Sequence, residues 1–186
     1  MRSTLPAIAQ DLGADERTLR RAARRGMLRC RRPGPRQLEL NAGELGYLRS
    51  HWELLHRLTR ALRTERGVRL AVLYGSTARG DDRRDSDIDL LVELRSATPG
   101  AGSALAARLE SALGRRVDVA ELRRVEADAP LLLLYALDEG RVLVDRDERW
   151  PGLQRRRSDV DRAAERAEEA ERRAVEQSWR MLVEDA

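Results

Sequence analysis

The chain has 186 residues, 36 basic and 32 acidic, for a formal charge of +4, and every basic residue is arginine. That length suits one ordinary domain or two small ones, and the missing lysine excludes P-loop phosphate binding, Schiff-base catalysis and a Ser–Lys dyad. Cys30 is the only cysteine, which excludes an internal disulfide or a multi-cysteine zinc site and fits a reducing compartment. His51 and His56 lie five residues apart, about 140° around a helix, so they cannot offer one metal a common face. The longest apolar run, Ala129–Leu137, falls short of the ~20 residues of a membrane helix. No secretory leader is read before Asp11, so a cytoplasmic protein with no membrane contact is expected.

The basic excess is N-terminal. Residues 1–36 carry ten arginines against Asp11, Asp15 and Glu16, whereas residues 67–186 carry 21 arginines against 25 acids. Such asymmetry fits either a polyanion meeting the N-terminal end or a solvated arginine surface. Leu5, Ile8, Ala9 and Leu12 have helical spacing, Gly13 ends that helix, and Asp15 is placed to cap a second one running through Leu19, Ala22 and Ala23 to Gly26. The second helix is expected to turn Arg17, Arg20, Arg21, Arg24 and Arg25 outward, as a recognition helix facing phosphates and base edges would. Met27–Arg31 and Arg36–Leu40 flank Pro33-Gly34-Pro35, which predicts two short strands and a basic wing. With Thr18-Leu19-Arg20 and Gly26-Met27-Leu28-Arg29, residues 5–40 resemble the winged helix–turn–helix of mercury-resistance-type regulators. That resemblance implies DNA contacts from Arg17, Thr18, Arg20, Arg21, Arg24, Arg31 and Arg32.

Asn41 is expected to cap a long helix to about Glu65, with Leu45, Leu48, Trp52, Leu55, Thr59 and Leu62 along a 3-4 seam. The seam suits a homodimer helix or an amphipathic helix packed on its own chain. About 36 Å long at ~1.5 Å per residue, it is expected to stand between the arginine-bearing helix and whatever follows.

Val68–Tyr74 reads as a strand that delivers the chain into Gly75-Ser76-Thr77-Ala78-Arg79-Gly80. Gly75 lets backbone approach a phosphate, Ser76 offers a hydroxyl, Arg79 is placed to reach an anion and Gly80 lets the chain leave the short helix; a triphosphate is the natural ligand. A second strand carries Asp87-Ile88-Asp89, whose two carboxylates share one face with α-carbons about 6.6 Å apart at ~3.3 Å per residue. Like charges so close call for a hard divalent cation, Mg²⁺ or Mn²⁺. A third strand around Val117-Asp118-Val119, after a helix over Ser103–Leu113, can bring Asp118 to the same centre as a base. The run Asp81–Asp85 reads as a solvated loop.

Gly75-Ser76, Gly80, Ser86-Asp87-Ile88-Asp89 and the later Asp118 resemble the polymerase-β-type nucleotidyltransferases in their minimal form, over about residues 67–147. The resemblance implies phosphate binding at Gly75 and Ser76, metal binding at Asp87 and Asp89, and the third carboxylate at Asp118, with an NTP such as ATP as substrate. Minimal transferases of this kind are often antitoxins that add AMP to a HEPN-type toxin, and a DNA-binding head suits an antitoxin that represses its own operon. The alternatives are nucleotidylation of a small molecule such as an aminoglycoside, and a transcription regulator whose transferase fold only senses nucleotide.

Pro130–Glu139 reads as a helix ended by Gly140, Arg141–Asp145 as a strand, Pro151 as a boundary, and Ser158 to about Glu184 as a helix. An alanine stripe on that last helix, from Val160 through Ala163, Ala167, Ala170 and Ala174 to Met181, suits internal packing or docking of another chain. The expected class is α+β: a winged helix–turn–helix over 1–40, a linker or dimer helix over 41–66, a small mixed-sheet nucleotidyltransferase domain over 67–150 and a C-terminal helix over 151–186.

Overall fold

A computed structural model of the protein describes residues 5–34, 37–96 and 98–184. Two short helices open the chain, α1 (Leu5–Asp11) and α2 (Glu16–Arg25). Asp15 caps α2 by accepting from the Thr18 N–H and from the Thr18 hydroxyl, each at 2.8 Å, and Gly26 closes it in the left-handed conformation. Among the described residues, the two strands of the expected wing show one antiparallel bridge, between Arg31 and Glu39. Proline at position 33 cannot donate to a ladder, and Pro35 and Arg36 lie outside the described residues.

The long helix α3 (Ala42–Thr64) is capped by Asn41, whose side chain accepts from the Glu44 N–H. Then follow β1 (Val68–Tyr74), α4 (Gly75–Arg79), β2 (Ile88–Leu94), α5 (Ala101–Leu113), β3 (Val117–Glu121), α6 (Leu122–Asp128), α7 (Pro130–Glu139), β4 (Arg141–Asp145), α8 (Arg149–Arg155) and α9 (Arg157–Glu184). The strands form one sheet in the order β3-β2-β1-β4, with β2 and β3 parallel and the other pairs antiparallel. This is the α+β class with a small mixed sheet. Alternation in the strands serves two cores. Ala71, Leu73, Leu90 and Val92 pack with α3, α5 and the N-terminal helices, while Leu70, Val72 and Leu91 pack with α6, α7, Leu153 and Val160.

This packing bears on the two stripes, which could have faced the chain itself or another, and it corrects the expected spacing by α3. The stripe on α3 is already covered: Leu48, Leu55, Leu58 and Leu62 are fully buried in the chain's own first core, so they form no exposed seam for a second copy. Nor does α3 hold the N-terminal helices away from the sheet, because Leu5, Ile8 and Leu19 belong to the same buried cluster as Leu73 and Leu143. The Val142 N–H donates to the Gly26 carbonyl at 3.2 Å. Among the described side chains of α9, Val160 and Ala164 are the buried ones, whereas Ala167, Ala170 and Ala174 are exposed, so that part of the alanine stripe packs internally for little more than its first two turns; the Met181 side chain lies outside the described residues. The boundary expected at Pro151 falls inside α8, whose Leu153 is buried in the second core.

Arg141, the first residue of β4, is 1% exposed. Its guanidinium donates to both oxygens of Glu44 at 2.7 and 2.9 Å, to the Met27 carbonyl at 3.1 Å and to the Ala78 carbonyl at 2.8 Å, and it lies 3.5 Å from the centroid of the Tyr47 ring. Removing one member of such a pair leaves the other charge buried and uncompensated, at about 3–5 kcal/mol. Glu44→Ala and Arg141→Ala should each lower unfolding stability by about that amount in urea denaturation, and the double variant should cost clearly less than the two single losses added together.

Candidate active site

The site forms where β1 ends and β2 begins. In register, Tyr74 pairs with Asp89 across β1 and β2, and Asp89 pairs with Asp118 across β2 and β3, so the three side chains share a face on strands ~4.8 Å apart. Asp87 precedes Asp89 by two residues, and its carboxylate lies 3.6 Å from the Arg116 guanidinium. Asp118 is exposed, and Asp87 and Asp89 are half-buried.

The turn between the strands is held from three sides. The Tyr47 hydroxyl donates to the Thr77 carbonyl at 3.2 Å, Arg141 donates to the Ala78 carbonyl, and the Thr77 hydroxyl donates to the Asp87 carbonyl at 3.3 Å. Gly75 has φ +71°, and a Cβ there would come within 2.3 Å of the Asp89 carboxylate; only glycine leaves that space open. Gly80 has φ +89°, and a Cβ there would strike the Tyr47 ring at 2.8 Å.

Sequence reasoning missed two neighbours of this turn. Glu139, the last residue of α7, accepts from the Gly75 N–H at 2.9 Å and from Arg79 with both oxygens at 2.9 and 3.0 Å. A carboxylate of the chain itself thus occupies the two groups expected to receive phosphate. Its only sequence signal was a glutamate before the helix-ending Gly140. Asp82, read as part of a solvated loop, has a buried carboxylate that meets His51 at 2.7 Å and Arg115 at 3.2 Å. Burial alone would raise its pKa, yet the hydrogen bonds and charges of His51 and Arg115 outweigh that and hold it below the ordinary range.

The model of the family described as "Polymerase beta, Nucleotidyltransferase" matches residues 56–149, half of the chain. The chain belongs to the polymerase-beta nucleotidyltransferase family. Among solved structures it is similar to a toxin–antitoxin crystallised with AMP-PNP, at 25% identity and a TM-score of 0.52, covering 67% of this chain and 96% of that one. It is also similar in fold to a mutant MntA–HpeT toxin–antitoxin, at 23% identity and a TM-score of 0.51, with the same coverage. No curated protein matches the chain significantly.

In this nucleotidyltransferase the electrostatics favour an incoming cation. Burial raises the pKa of the Asp89 carboxyl, and the charges of Asp118, Asp87 and Glu139 raise it further against the opposing pull of Arg79. Burial, with help from Asp89 and Asp118, pushes the Tyr74 hydroxyl up to about 12. Among the described residues no three carboxylate, imidazole or thiol groups converge on one point as a preformed cage. Mg²⁺ asks for none, since it is held by one or two carboxylates together with water and substrate phosphate. The hard oxygen donors of Asp87 and Asp89, beside the space that Gly75 leaves open, fit that ion.

The arginines expected to meet DNA separate into two groups. Arg17, Arg21, Arg24, Arg31 and Arg32 are exposed, and Arg20 pairs with Glu16 at 3.3 Å. Thr18 is engaged by its own cap. Arg25 does not turn outward: it is half-buried and donates to the Leu143 carbonyl at 2.8 Å.

Because the folded pKa of Asp89 lies above its ordinary value of 3.8, protonation favours the fold at low pH, and that contribution is lost as pH rises through the folded pKa. Asp89→Asn should therefore raise the Tm of the metal-free protein at neutral pH, by about 2–4 °C for each kcal/mol relieved. The gain should vanish below pH 3.8. Thermal melts in EDTA across that pH range check the sign.

Proposed function

We propose that the protein transfers a nucleoside monophosphate, AMP in the leading reading, from an NTP to a hydroxyl of a partner protein, as an antitoxin. The observation that carries this reading is the in-register array of Asp89 and Asp118 beside the open cradle at Gly75. Similarity to a toxin–antitoxin crystallised with an adenine nucleotide supports it, and a HEPN-type toxin is the partner class that the sequence resemblance implies.

In this mechanism Asp87 and Asp89 would hold Mg²⁺, which when bound neutralises the carboxylates and polarises the triphosphate. The Gly75 N–H, the Ser76 hydroxyl and Arg79 orient the phosphates, and Glu139 gives up its contacts to Gly75 and Arg79 as they arrive. The acceptor hydroxyl oxygen bonds to the α-phosphorus, the bond from that phosphorus to the β-bridging oxygen breaks, and pyrophosphate leaves. Asp118 takes the hydroxyl proton. The partner supplies that acceptor hydroxyl.

The exposed arginines of α2 give the same protein a cationic face for operator DNA. Its affinity should fall with salt at a log–log slope of roughly −0.9 per phosphate neutralised, so Arg17→Ala, Arg20→Ala and Arg24→Ala together should flatten the slope by about that amount for each phosphate left without its arginine. Unchanged salt dependence would remove DNA from the reading.

Transfer is tested by purifying the protein from its own host with any co-purifying chain and supplying Mg²⁺ and each α-labelled NTP. A labelled protein band is expected. Asp87→Asn and Asp89→Asn should abolish it while the fold persists, and undiminished labelling by both would sink the assignment. A labelled small molecule would instead favour the antibiotic-type alternative, and nucleotide-dependent DNA affinity without any label would favour a nucleotide-sensing regulator.

A further inference from the structure

A cavity of about 390 Å³ opens between α2 and the C-terminal half of α3. Its lining includes no residue of the Gly75–Arg79 turn and none of the three site aspartates. Arg63 precedes the first residue of β1 and Gly75 follows its last, and a seven-residue strand separates its ends by about 20 Å at ~3.3 Å per residue.

Four guanidinium-bearing residues line this cavity, Arg21 and Arg25 from α2 and Arg60 and Arg63 from α3, with Trp52 as an apolar wall. Among the described residues Arg21, Arg60 and Arg63 have no carboxylate within ion-pair distance. Thr59 also lines the cavity; it is 8% exposed, and its hydroxyl has no hydrogen-bond partner among the described residues. A buried hydroxyl without a partner costs free energy unless a ligand or water meets it. The arginines repel one another: burial lowers the pKa of Arg25, and the charges of Arg63 and Arg21 lower it further against the pull of Asp145.

We propose that this cavity is a second ligand site, separate from the transferase centre, which takes a phosphate monoester of nucleoside-monophosphate size. The guanidinium fork matches phosphate oxygens in a bidentate manner, and the unpartnered Thr59 hydroxyl, enclosed in the wall, would turn to donate to an oxygen. The volume falls within the ~300–1,000 Å³ of small-molecule sites, and the Trp52 wall leaves an apolar surface for the rest of the ester. A duplex backbone laid across α2 would reach the exposed arginines but not a hydroxyl buried beneath them.

AMP is the probe, titrated by calorimetry in EDTA so that the catalytic carboxylates hold no metal. The full chain should bind one AMP. Arg60→Gln with Arg63→Gln, both exposed side chains, should weaken binding at least tenfold, and Thr59→Val should weaken it several-fold with the melting curve retained. Asp87→Asn with Asp89→Asn should leave it unchanged. Absence of AMP binding by the wild type, retention after the arginine substitutions, or loss in the aspartate variant would each overturn the proposal. So would a result in which a 20-base-pair duplex, and not AMP, requires Arg60 and Arg63.

Discussion

A guanidinium withdrawn from water must be neutralised and must place nearly all of its N–H groups on acceptors, and meeting that demand at Arg141 ties four parts of this chain together. Glu44 supplies the charge from α3, Met27 a carbonyl from the segment after α2, Ala78 a carbonyl from the Gly75–Arg79 turn, and Tyr47 a ring face. Glu44 in turn accepts from the Arg29 N–H at 3.0 Å. Because β4 contributes Arg141 and also completes the sheet, the geometry of the Gly75–Arg79 turn is set by contacts that originate in the N-terminal third of the chain.

Sequence reading went furthest where structure is local. The strand carrying Asp89 with Asp87 just before it, the caps at Asp15, Asn41 and Gly26, and the strand at Arg141–Asp145 all follow from spacing and turn chemistry over a few residues. The α3 stripe showed an apolar side without showing what covers it, since amphipathicity is the same whether the cover is a sheet or a second copy. Glu139 lies 64 residues from Gly75, and Asp82 lies 31 from His51; no periodicity links such positions. Arg141 looked like an ordinary strand opener, and only the folded chain reveals that its charge is internal.

The composition misleads in a related way. An arginine-rich chain reads as a polyanion-seeking surface, yet many of these guanidiniums serve as internal clamps on backbone carbonyls. Arg25 holds Leu143, Arg29 holds Glu139, Arg57 holds Ala112 and Leu113, Arg115 holds Ser86, and Arg146 holds Arg63, Glu65 and Arg66. A planar group with five donors can do this at helix ends and strand edges where lysine, a point charge, would do it less well. Exposed arginines on the outer face of α2 and around its cavity with α3 form one cluster that an outside partner can reach.

The bond from the Val142 N–H to the Gly26 carbonyl, together with Arg25 on the Leu143 carbonyl, acts along the outer rim of the sheet. In the order β3-β2-β1-β4 the strand β4 is terminal, and its Val142, Leu143 and Val144 are apolar and buried. Such a strand with bare amides and carbonyls invites another chain to add to it. By laying the end of α2 against that rim, the N-terminal helices act as a selvedge: they finish the sheet and deny it to strand addition, whatever else their arginines bind.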